Sequence, residues 1–202
     1  MHGVLVVVVA FLAGAIPFSN LAARRTAGVD LREVGTGTVS GTSLFRVAGF
    51  VPLAVAGVCD VAKGSVGPLL AGSDRPGLAA LAGGAAVAGH NWSPFLRGAG
   101  GRGISPAMGA FLVVAWPGTV LLAAGMVLGK AAGHTALGAF VAEVALLPVL
   151  AVTHGRDGAL AALAVAVPML TKRVVGNAPP AGDRGRTYLR RLLFDRDDLP
   201  SR

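Results

Sequence analysis

The sequence predicts an all-α, polytopic integral membrane helical bundle, and three observations support this fold class. Of the 202 residues, 53% are hydrophobic, and the mean hydropathy is +0.67. Only 14% are charged, compared with about 25% in an average soluble domain. Most of these charges lie between and after long apolar stretches. Glycine is abundant, with 30 residues, and small residues favour close helix packing in lipid.

Six apolar segments are candidate membrane helices. Ile104–Gly129 contains Trp116-Pro117-Gly118 at its middle. Proline lacks a backbone donor and disfavours helix at the residue before it, so a break there gives about seven helices instead of about six. The segments are Val4–Phe18, Val47–Leu70, Leu78–Phe95, Ile104–Gly129, Ala136–Val152 and Ala159–Leu170.

The placement of positive charge favours the larger count, because cytoplasmic loops are enriched in Lys and Arg. With about seven helices and an external N-terminus, most of the 18 Lys and Arg residues lie inside. They include Arg24, Arg25 and Arg46, assigned to loops. We therefore predict one membrane domain over residues 1–175 and a basic cytoplasmic tail over 176–202. The halves of Ile104–Gly129 are shorter than the ~20 residues of a full span, so we expect short helices or a re-entrant hairpin.

Composition also excludes several function classes. The net charge of +8 follows from basic residues at cytoplasmic helix ends, so nucleic-acid binding is not predicted. The single Cys59 excludes a disulfide framework and a cysteine zinc site. No metal or organic cofactor is indicated.

The first candidate functional segment runs from Asp30 to Ser43 and is rich in glycines and hydroxyls. It contains Gly35, Thr36, Gly37 and Thr38, with Arg46 shortly after it. Glycines let backbone N–H groups approach an anion, and a following helix start adds partial positive charge. The same composition is common in flexible linkers. Both interpretations remain open on composition alone.

The second candidate segment, 97–105, contains Gly100, Gly101, Arg102 and Gly103 and ends at a predicted helix start. A glycine-rich turn with a central arginine before a helix is typical of a phosphate site. It lacks the Lys-Ser/Thr ending of a P-loop, so nucleotide hydrolysis is not indicated. The alternative is a tight inter-helix turn with an interfacial arginine. Both segments are expected at the cytoplasmic surface, where both can bind a phosphate.

Four ionisable residues fall within or near the predicted spans. Asp60 and Lys63 are spaced i,i+3 and can pair on one helix face, either bracing the loops or belonging to the site. His90 lies just before the second segment, as a packing residue or a base. Glu143 is mid-helix, either neutral or paired across helices, for instance with Lys63.

Five short motifs follow one another in an order and spacing typical of a known family. They are Gly14-Ala15-Ile16-Pro17, Asp30-Leu31-Arg32-Glu33-Val34-Gly35-Thr36-Gly37-Thr38 leading to Arg46, Asp60-x-x-Lys63-Gly64, Gly89-His90-x-x-x-Pro94-Phe95, and Ala99-Gly100-Gly101-Arg102-Gly103-Ile104-Ser105. Over residues 10–175 the chain resembles the PlsY family, the bacterial acyl-phosphate:glycerol-3-phosphate acyltransferases.

The resemblance implies acyl transfer from an acyl phosphate to the 1-hydroxyl of sn-glycerol-3-phosphate, giving lysophosphatidic acid in the first step of phospholipid synthesis. Those two substrates and membrane lipid are the implied partners, and the bacterial plasma (inner) membrane is the implied location, as a multi-pass protein. The implied catalytic residues are Thr36, Arg46 and Arg102. Supporting positions are Asp60, Lys63 and His90, and the implied phosphate-binding positions are Gly35, Gly37, Thr38, Gly100, Gly101 and Gly103.

The chain departs from the family in its C-terminal element, H-R-x-N-I-x-R-L-L-x-G-T-E. Only Arg173, Val174 and Val175 resemble it, and the expected His and Asn fall near Val167 and Leu170. The expected Glu falls near Pro179. Because that His and Asn are considered important for activity, a divergent enzyme and a catalytically degenerate lipid- or phosphate-binding paralogue both remain possible interpretations. A small transporter with Asp60, Lys63 and Glu143 as relay residues is the third.

The C-terminal tail has two interpretations of its own. Apolar residues lie among its arginines, a pattern typical of a short helix on anionic lipid. A disordered basic tail fits the composition equally well. The apolar residues are Tyr188, Leu189, Leu192, Leu193 and Phe194.

Overall fold

The computed structural model describes residues 3–35, 37–180 and 183–196, and none of these residues lies in a β-strand. The predicted all-α class is therefore confirmed for the described chain. The helices are α1 (Gly3–Ala15), α2 (Phe18–Ala27), α3 (Gly41–Ala48), α4 (Phe50–Ala71), α5 (Pro76–Asn91), α6 (Ile104–Val114), α7 (Trp116–Ala131), α8 (Thr135–Val175) and α9 (Arg184–Phe194), with short 3-10 turns at Leu31–Glu33 and Pro94–Leu96.

The helical surface is that of a membrane protein. Three helical stretches among the described residues are long and apolar enough to cross a bilayer: Gly3–Ala27, Phe50–Ala71 and Thr135–Val175. Large apolar side chains point away from the bundle, and Val4 and Val152 are 77% and 86% exposed. Such a surface is stable in contact with lipid chains.

The long helix α8 consists of two antiparallel arms that meet at Gly155, whose backbone is non-helical (φ 58°, ψ −140°). Arg173 Nη2 donates to Glu143 Oε1 over 2.7 Å. A straight helix would hold these two residues about 45 Å apart, so the chain reverses between them. The two arms correspond to the predicted segments Ala136–Val152 and Ala159–Leu170.

The chain also reverses between α6 and α7, where the sequence predicted a break near Pro117. Ala115 has extended backbone (φ −166°, ψ 78°), and Thr119 Oγ1 donates to the Met108 carbonyl over 2.8 Å. The segment Ile104–Gly129 is thus a helical hairpin. The α6 arm has 11 residues, about 16 Å of helix, which is shorter than the ~30 Å hydrocarbon core.

Two short helices occupy what the sequence analysis assigned to loops. Arg24 and Arg25 lie in α2, and Arg46 lies in α3. Helix α2 begins just after Pro17, and α3 begins after Ser40, whose Oγ accepts from the Ser43 N–H at 3.2 Å. Assigning these residues to loops was therefore wrong. The hydropathy pattern did not reveal the two helices because they are short and partly polar.

Close packing of small residues positions the helices around the site. A Cβ at Gly64 of α4 would overlap the backbone of Pro106 in α6, and one at Gly14 of α1 would overlap Ala86 in α5. This close approach is available only to glycine. It brings the C-terminal ends of α1 and α5 and the beginning of α6 to one end of the bundle, together with the end of α8.

Candidate functional site

The two glycine-rich segments lie side by side at that end of the bundle. The Val39 N–H donates to the Gly100 carbonyl over 3.2 Å. The structure therefore brings together two segments that are about 60 residues apart in sequence. We call the first, residues 30–40, the first loop, and residues 97–103 the second loop.

Arg102 lies at the junction of the two loops, and its side chain is only 10% exposed. Its Nη2 donates to Thr38 Oγ1 of the first loop at 3.2 Å, and its Nε donates to Asp195 Oδ1 at 2.6 Å. The remaining nitrogen, Nη1, is buried without a hydrogen-bond partner among the described residues. An unmade bond of a buried cation is costly, and an anion is the natural partner for it.

The second-loop glycines are required by close contacts. A Cβ at Gly100 would overlap the carbonyls of His90 and Asn91, and one at Gly101 would overlap the His90 ring. The N–H groups of both residues donate within the protein, Gly100 to Asn177 Oδ1 at 3.1 Å and Gly101 to the His90 carbonyl at 3.3 Å. To bind phosphate, these N–H groups would have to give up the hydrogen bonds that they form within the protein. Phosphate binding by Gly100 and Gly101 stays a prediction.

The other predicted phosphate-binding glycines lie at turns. Gly35 and Gly37 have positive φ values of 57° and 68°, and Gly103, which precedes α6, has a φ of 80°. The Gly37 N–H donates to the Val34 carbonyl over 3.0 Å. These backbones adopt conformations that favour glycine, whether or not they contact an anion.

Two further residues, Arg46 and Thr36, were predicted to be catalytic. Arg46 is exposed on α3 and forms no hydrogen bond or ion pair with the described residues. Thr36 lies outside the described residues. Among the described residues, Arg102 is the predicted catalytic residue that the structure places where the loops meet.

The first loop is anchored by Asp30. Its carboxylate accepts from the backbone N–H of Arg32 at 3.0 Å, pairs with the Arg32 guanidinium at 2.7 Å and also pairs with Arg24. The hydrogen bond from the Arg32 side chain, with help from Arg24, holds the pKa of Asp30 well below its usual range. Asn20 Oδ1 of α2 adds a buried bond from the Leu31 N–H at 2.8 Å.

A buried polar cluster borders the loops. The predicted Asp60–Lys63 pair is confirmed, with 2.7 Å between Nζ and Oδ1. Lys63 also donates to the Ile16 carbonyl at 2.6 Å, and Ser19 donates to Asp60 Oδ2 at 3.3 Å. His90 Nδ1 lies 3.9 Å from Asp60 Oδ1. The predicted supporting residues are therefore together.

The cluster and the loops share one cavity. Asp60, Lys63 and His90 line it together with Gly100 and Gly101. The Lys63 Nζ also lies 5.6 Å from the centre of the Phe18 ring, which is another lining residue. The ion pair therefore lines this cavity and also lies where it can brace the loops.

Glu143 is paired with Arg173, and not with Lys63. Both side chains are buried, with exposed fractions of 0% and 2%. Asp60–Lys63 and Glu143–Arg173 are thus two separate ion pairs. The sequence-based transporter alternative needs these charges to form a relay, and each carboxylate instead has its own cation.

Sequence reasoning missed two residues of the α8 end. Lys172 and Arg173 were not among the predicted site residues, and both are buried. Lys172 Nζ lies 3.4 Å from the Gly98 carbonyl of the second loop and 5.4 Å from the centre of the Trp92 ring. A second cation therefore reaches the second loop beside Arg102.

Asn177 was missed as well, and it contacts both loops. Its Nδ2 donates to the Gly37 carbonyl at 3.2 Å and to the Gly100 carbonyl at 2.9 Å. The sequence signal was Gly176-Asn177 directly after the last apolar segment, a pattern typical of a helix C-terminus. That pattern predicts where α8 ends, but it does not indicate that Asn177 reaches the glycine loops.

Comparison with known proteins decides the family. The family model described as "Glycerol-3-phosphate acyltransferase" matches residues 4–177. The chain belongs to this family. Its glycerol-3-phosphate acyltransferase relatives include a protein from Synechococcus sp. (strain CC9902), 32% identical over 199 residues, 93% of this chain and 99% of the relative. A relative from Chlorobaculum tepidum is 33% identical over 162 residues, 73% of this chain and 69% of the relative.

The fold also matches solved structures of an acyltransferase of the same name. PlsY (YgiH), an integral membrane glycerol 3-phosphate acyltransferase, in its glycerol 3-phosphate form superposes with a TM-score of 0.78 at 24% identity. That match covers 96% of this chain and 94% of PlsY. The lysophosphatidic acid form gives 0.76 at 20% identity, over 96% and 93% of the two chains. The membrane bundle is therefore the acyltransferase fold, as the resemblance implied.

Proposed function

We propose that this protein transfers an acyl group from an acyl phosphate to the 1-hydroxyl of sn-glycerol-3-phosphate, giving 1-acyl-glycerol-3-phosphate (lysophosphatidic acid) and phosphate. One observation carries the proposal. Arg102 lies where the two loops meet, and its buried Nη1 lacks a hydrogen-bond partner among the described residues. Membership of the glycerol-3-phosphate acyltransferase family supplies the substrate class that fits such a cation.

The reaction suits a site that offers cations, because it needs no covalent nucleophile from the protein. The 1-hydroxyl oxygen attacks the acyl carbonyl carbon, and an ester C–O bond forms as the C–O bond to phosphate breaks. The hydroxyl proton leaves on the phosphate oxygens, so no protein base is needed. Because an acyl phosphate is a mixed anhydride with a good leaving group, positioning and charge neutralisation supply the catalysis.

The residues take distinct roles in this proposal. Arg102 binds a substrate phosphate through Nη1, and Thr38 orients the guanidinium. Lys172 adds positive charge beside the second loop, and Lys63 extends the positive character into the shared cavity. Thr36, Arg46 and the predicted glycines remain proposed contacts.

We also propose a seven-pass arrangement with the N-terminus outside and the site at the cytoplasmic face of a bacterial plasma membrane. Support comes from the two hairpins, which break at Ala115 and Gly155. They place the ends of α7 and α8 at the same end of the bundle as the glycine loops. Basic residues are concentrated at that end, as the positive-inside rule expects.

One observation favours a second candidate function, a paralogue that binds phosphate or lipid without turnover. The family's C-terminal His and Asn fall near Val167 and Leu170, which have no polar side-chain group. Under this alternative Arg102 still binds an anion, but no acyl group is transferred. Only a turnover assay separates the two.

The test is formation of labelled lysophosphatidic acid by purified full-length protein in lipid, from palmitoyl phosphate and labelled glycerol-3-phosphate. We expect product with palmitoyl phosphate, and far less with palmitoyl-CoA as the control donor. No product from folded protein that still binds labelled glycerol-3-phosphate would favour the non-catalytic paralogue. Product formed from palmitoyl-CoA alone would contradict the acyl-phosphate assignment.

A further inference from the structure

The segment that follows α8 is built into the candidate site, although the sequence assigned it to a separate tail. Asn177 forms three hydrogen bonds to the two loops. Its Oδ1 accepts from the Gly100 N–H at 3.1 Å, while Nδ2 donates to the Gly100 carbonyl at 2.9 Å and to the Gly37 carbonyl at 3.2 Å. One primary amide thus contacts the backbone of both loops.

Asn177 is itself held in place by α9. Arg191 is 1% exposed, and its guanidinium donates to the Val175 carbonyl at 2.6 Å and to the Ala178 carbonyl at 2.9 Å. These two acceptors flank Asn177 in sequence. Gly176 makes room for the guanidinium, since a Cβ there would lie 2.9 Å from Arg191 Cζ. The arginine therefore fixes the turn that carries Asn177.

We infer that Asn177, held by Arg191, is a positioning residue for the acyl-transfer reaction, and this inference rests on the proposed function. Asn177 sets the first loop against the second and thereby sets Thr38 against Arg102. The orientation of the Arg102 guanidinium toward the substrate phosphate depends on this distance between Thr38 and Arg102. Displacing a phosphate-binding group by about 1 Å is enough to cost up to about 100-fold in rate.

The geometry makes the amide suited to this task. Its donor and acceptor sides bond the N–H and carbonyl of the same residue, Gly100, so the second loop is held in one orientation. The remaining Nδ2 hydrogen then reaches the first loop. Among the described residues, the other direct link between the two loop backbones is the hydrogen bond from the Val39 N–H to the Gly100 carbonyl. We therefore expect removal of the Asn177 amide to loosen both loops.

The test compares the full wild-type chain in lipid with the Asn177→Ala and Asn177→Gln variants. Glutamine keeps the amide N–H and carbonyl groups on a longer side chain. Arg156→Ala, exposed next to the opposite turn of α8, is the matched control. The measurements are KM and kcat for glycerol-3-phosphate and amide hydrogen exchange over 37–43 and 97–103. We expect Asn177→Ala to raise KM about tenfold or more, with faster exchange in both loops, and Asn177→Gln to recover part of the loss.

Two results would overturn the inference. If the turnover of Asn177→Ala falls only in proportion to its folded fraction, with KM and the kcat per folded molecule unchanged, the site is not displaced and Asn177 is structural only. Unchanged exchange in both loops would mean that the amide does not join them. If the wild-type chain shows no turnover, the proposed function fails on its own, and the exchange measurement still decides whether Asn177 holds the loops.

Discussion

The carboxylate of Asp195 occupies one edge of the Arg102 guanidinium, with 2.6 Å between Oδ1 and Nε. Asp195 follows α9, in a left-handed backbone conformation (φ 50°). A residue of the C-terminal segment therefore places a negative charge on the cation proposed to bind the substrate phosphate. This carboxylate and the phosphate are both anions, so they compete electrostatically for Arg102.

Substituting Asp195→Asn tests this competition, because asparagine keeps an oxygen that accepts from Nε and removes the charge. We predict that KM for glycerol-3-phosphate falls about fivefold, or roughly 1 kcal/mol. Asp183→Asn is the matched control, since it removes one charge at the other end of α9 and retains a side chain that can cap the helix. A higher KM in Asp195→Asn alone would show that the carboxylate orients Arg102 instead of opposing the substrate.

The glycine at the α4–α6 contact provides a test of packing. We predict that Gly64→Ala destabilises the protein by about 1–3 kcal/mol, because the new Cβ meets the Pro106 backbone. The control is Gly57→Ala on the same helix, where a Cβ meets nothing within 4 Å. The measurement is the midpoint temperature of thermal unfolding in detergent. Equal midpoints for the two variants would contradict the close approach of α4 and α6.

Much of the fold follows from the sequence because lipid imposes a simple rule. Long apolar segments become helices, and a break near Pro117 is predictable from the missing backbone donor. This rule did not predict the helices α2 and α3, because they are short, partly polar and lie beside the bundle. Their formation depends on contacts such as Ser40 with Ser43, which the hydropathy pattern does not contain.

The candidate site was only partly predictable, for a different physical reason. The glycines and Arg102 could be predicted from their residue types. The Asp60–Lys63 pair could be predicted from its i,i+3 spacing on one helix. The contacts of Asn177, Asp195 and Lys172 with the second loop join segments more than 70 residues apart. Such contacts depend on where α8 returns to the bundle end, and that depends on the reversal at Gly155.

Variants of the buried Asp60–Lys63 pair can distinguish two roles for it, bracing the loops or belonging to the site. We predict that Lys63→Met costs about 3–5 kcal/mol, because it leaves the Asp60 carboxylate buried without its cation. Adding Asp60→Asn should recover most of that stability. Since both side chains line the cavity, we expect the double variant to remain impaired in turnover. Thermal unfolding and lysophosphatidic acid formation are measured on the same preparations.

The outcome for the double variant is decisive either way. Recovered stability with low turnover places the pair in the site. Wild-type turnover in the double variant would contradict this and leave the pair a brace for the loops. A double variant no more stable than Lys63→Met would show instead that the buried carboxylate is not the source of the instability.

Phosphate release from palmitoyl phosphate, with and without glycerol-3-phosphate, tests the central claim most directly. The comparison is between wild-type protein, Arg102→Ala and Arg97→Asn, the last being an exposed arginine of the same loop at φ 56°, a conformation that asparagine tolerates. We predict release that requires glycerol-3-phosphate, falls about 100-fold or more in Arg102→Ala and is unchanged in Arg97→Asn. Equal release by wild-type and Arg102→Ala protein, or none from folded wild-type protein, would contradict the claim that Arg102 is the catalytic cation of an acyltransferase.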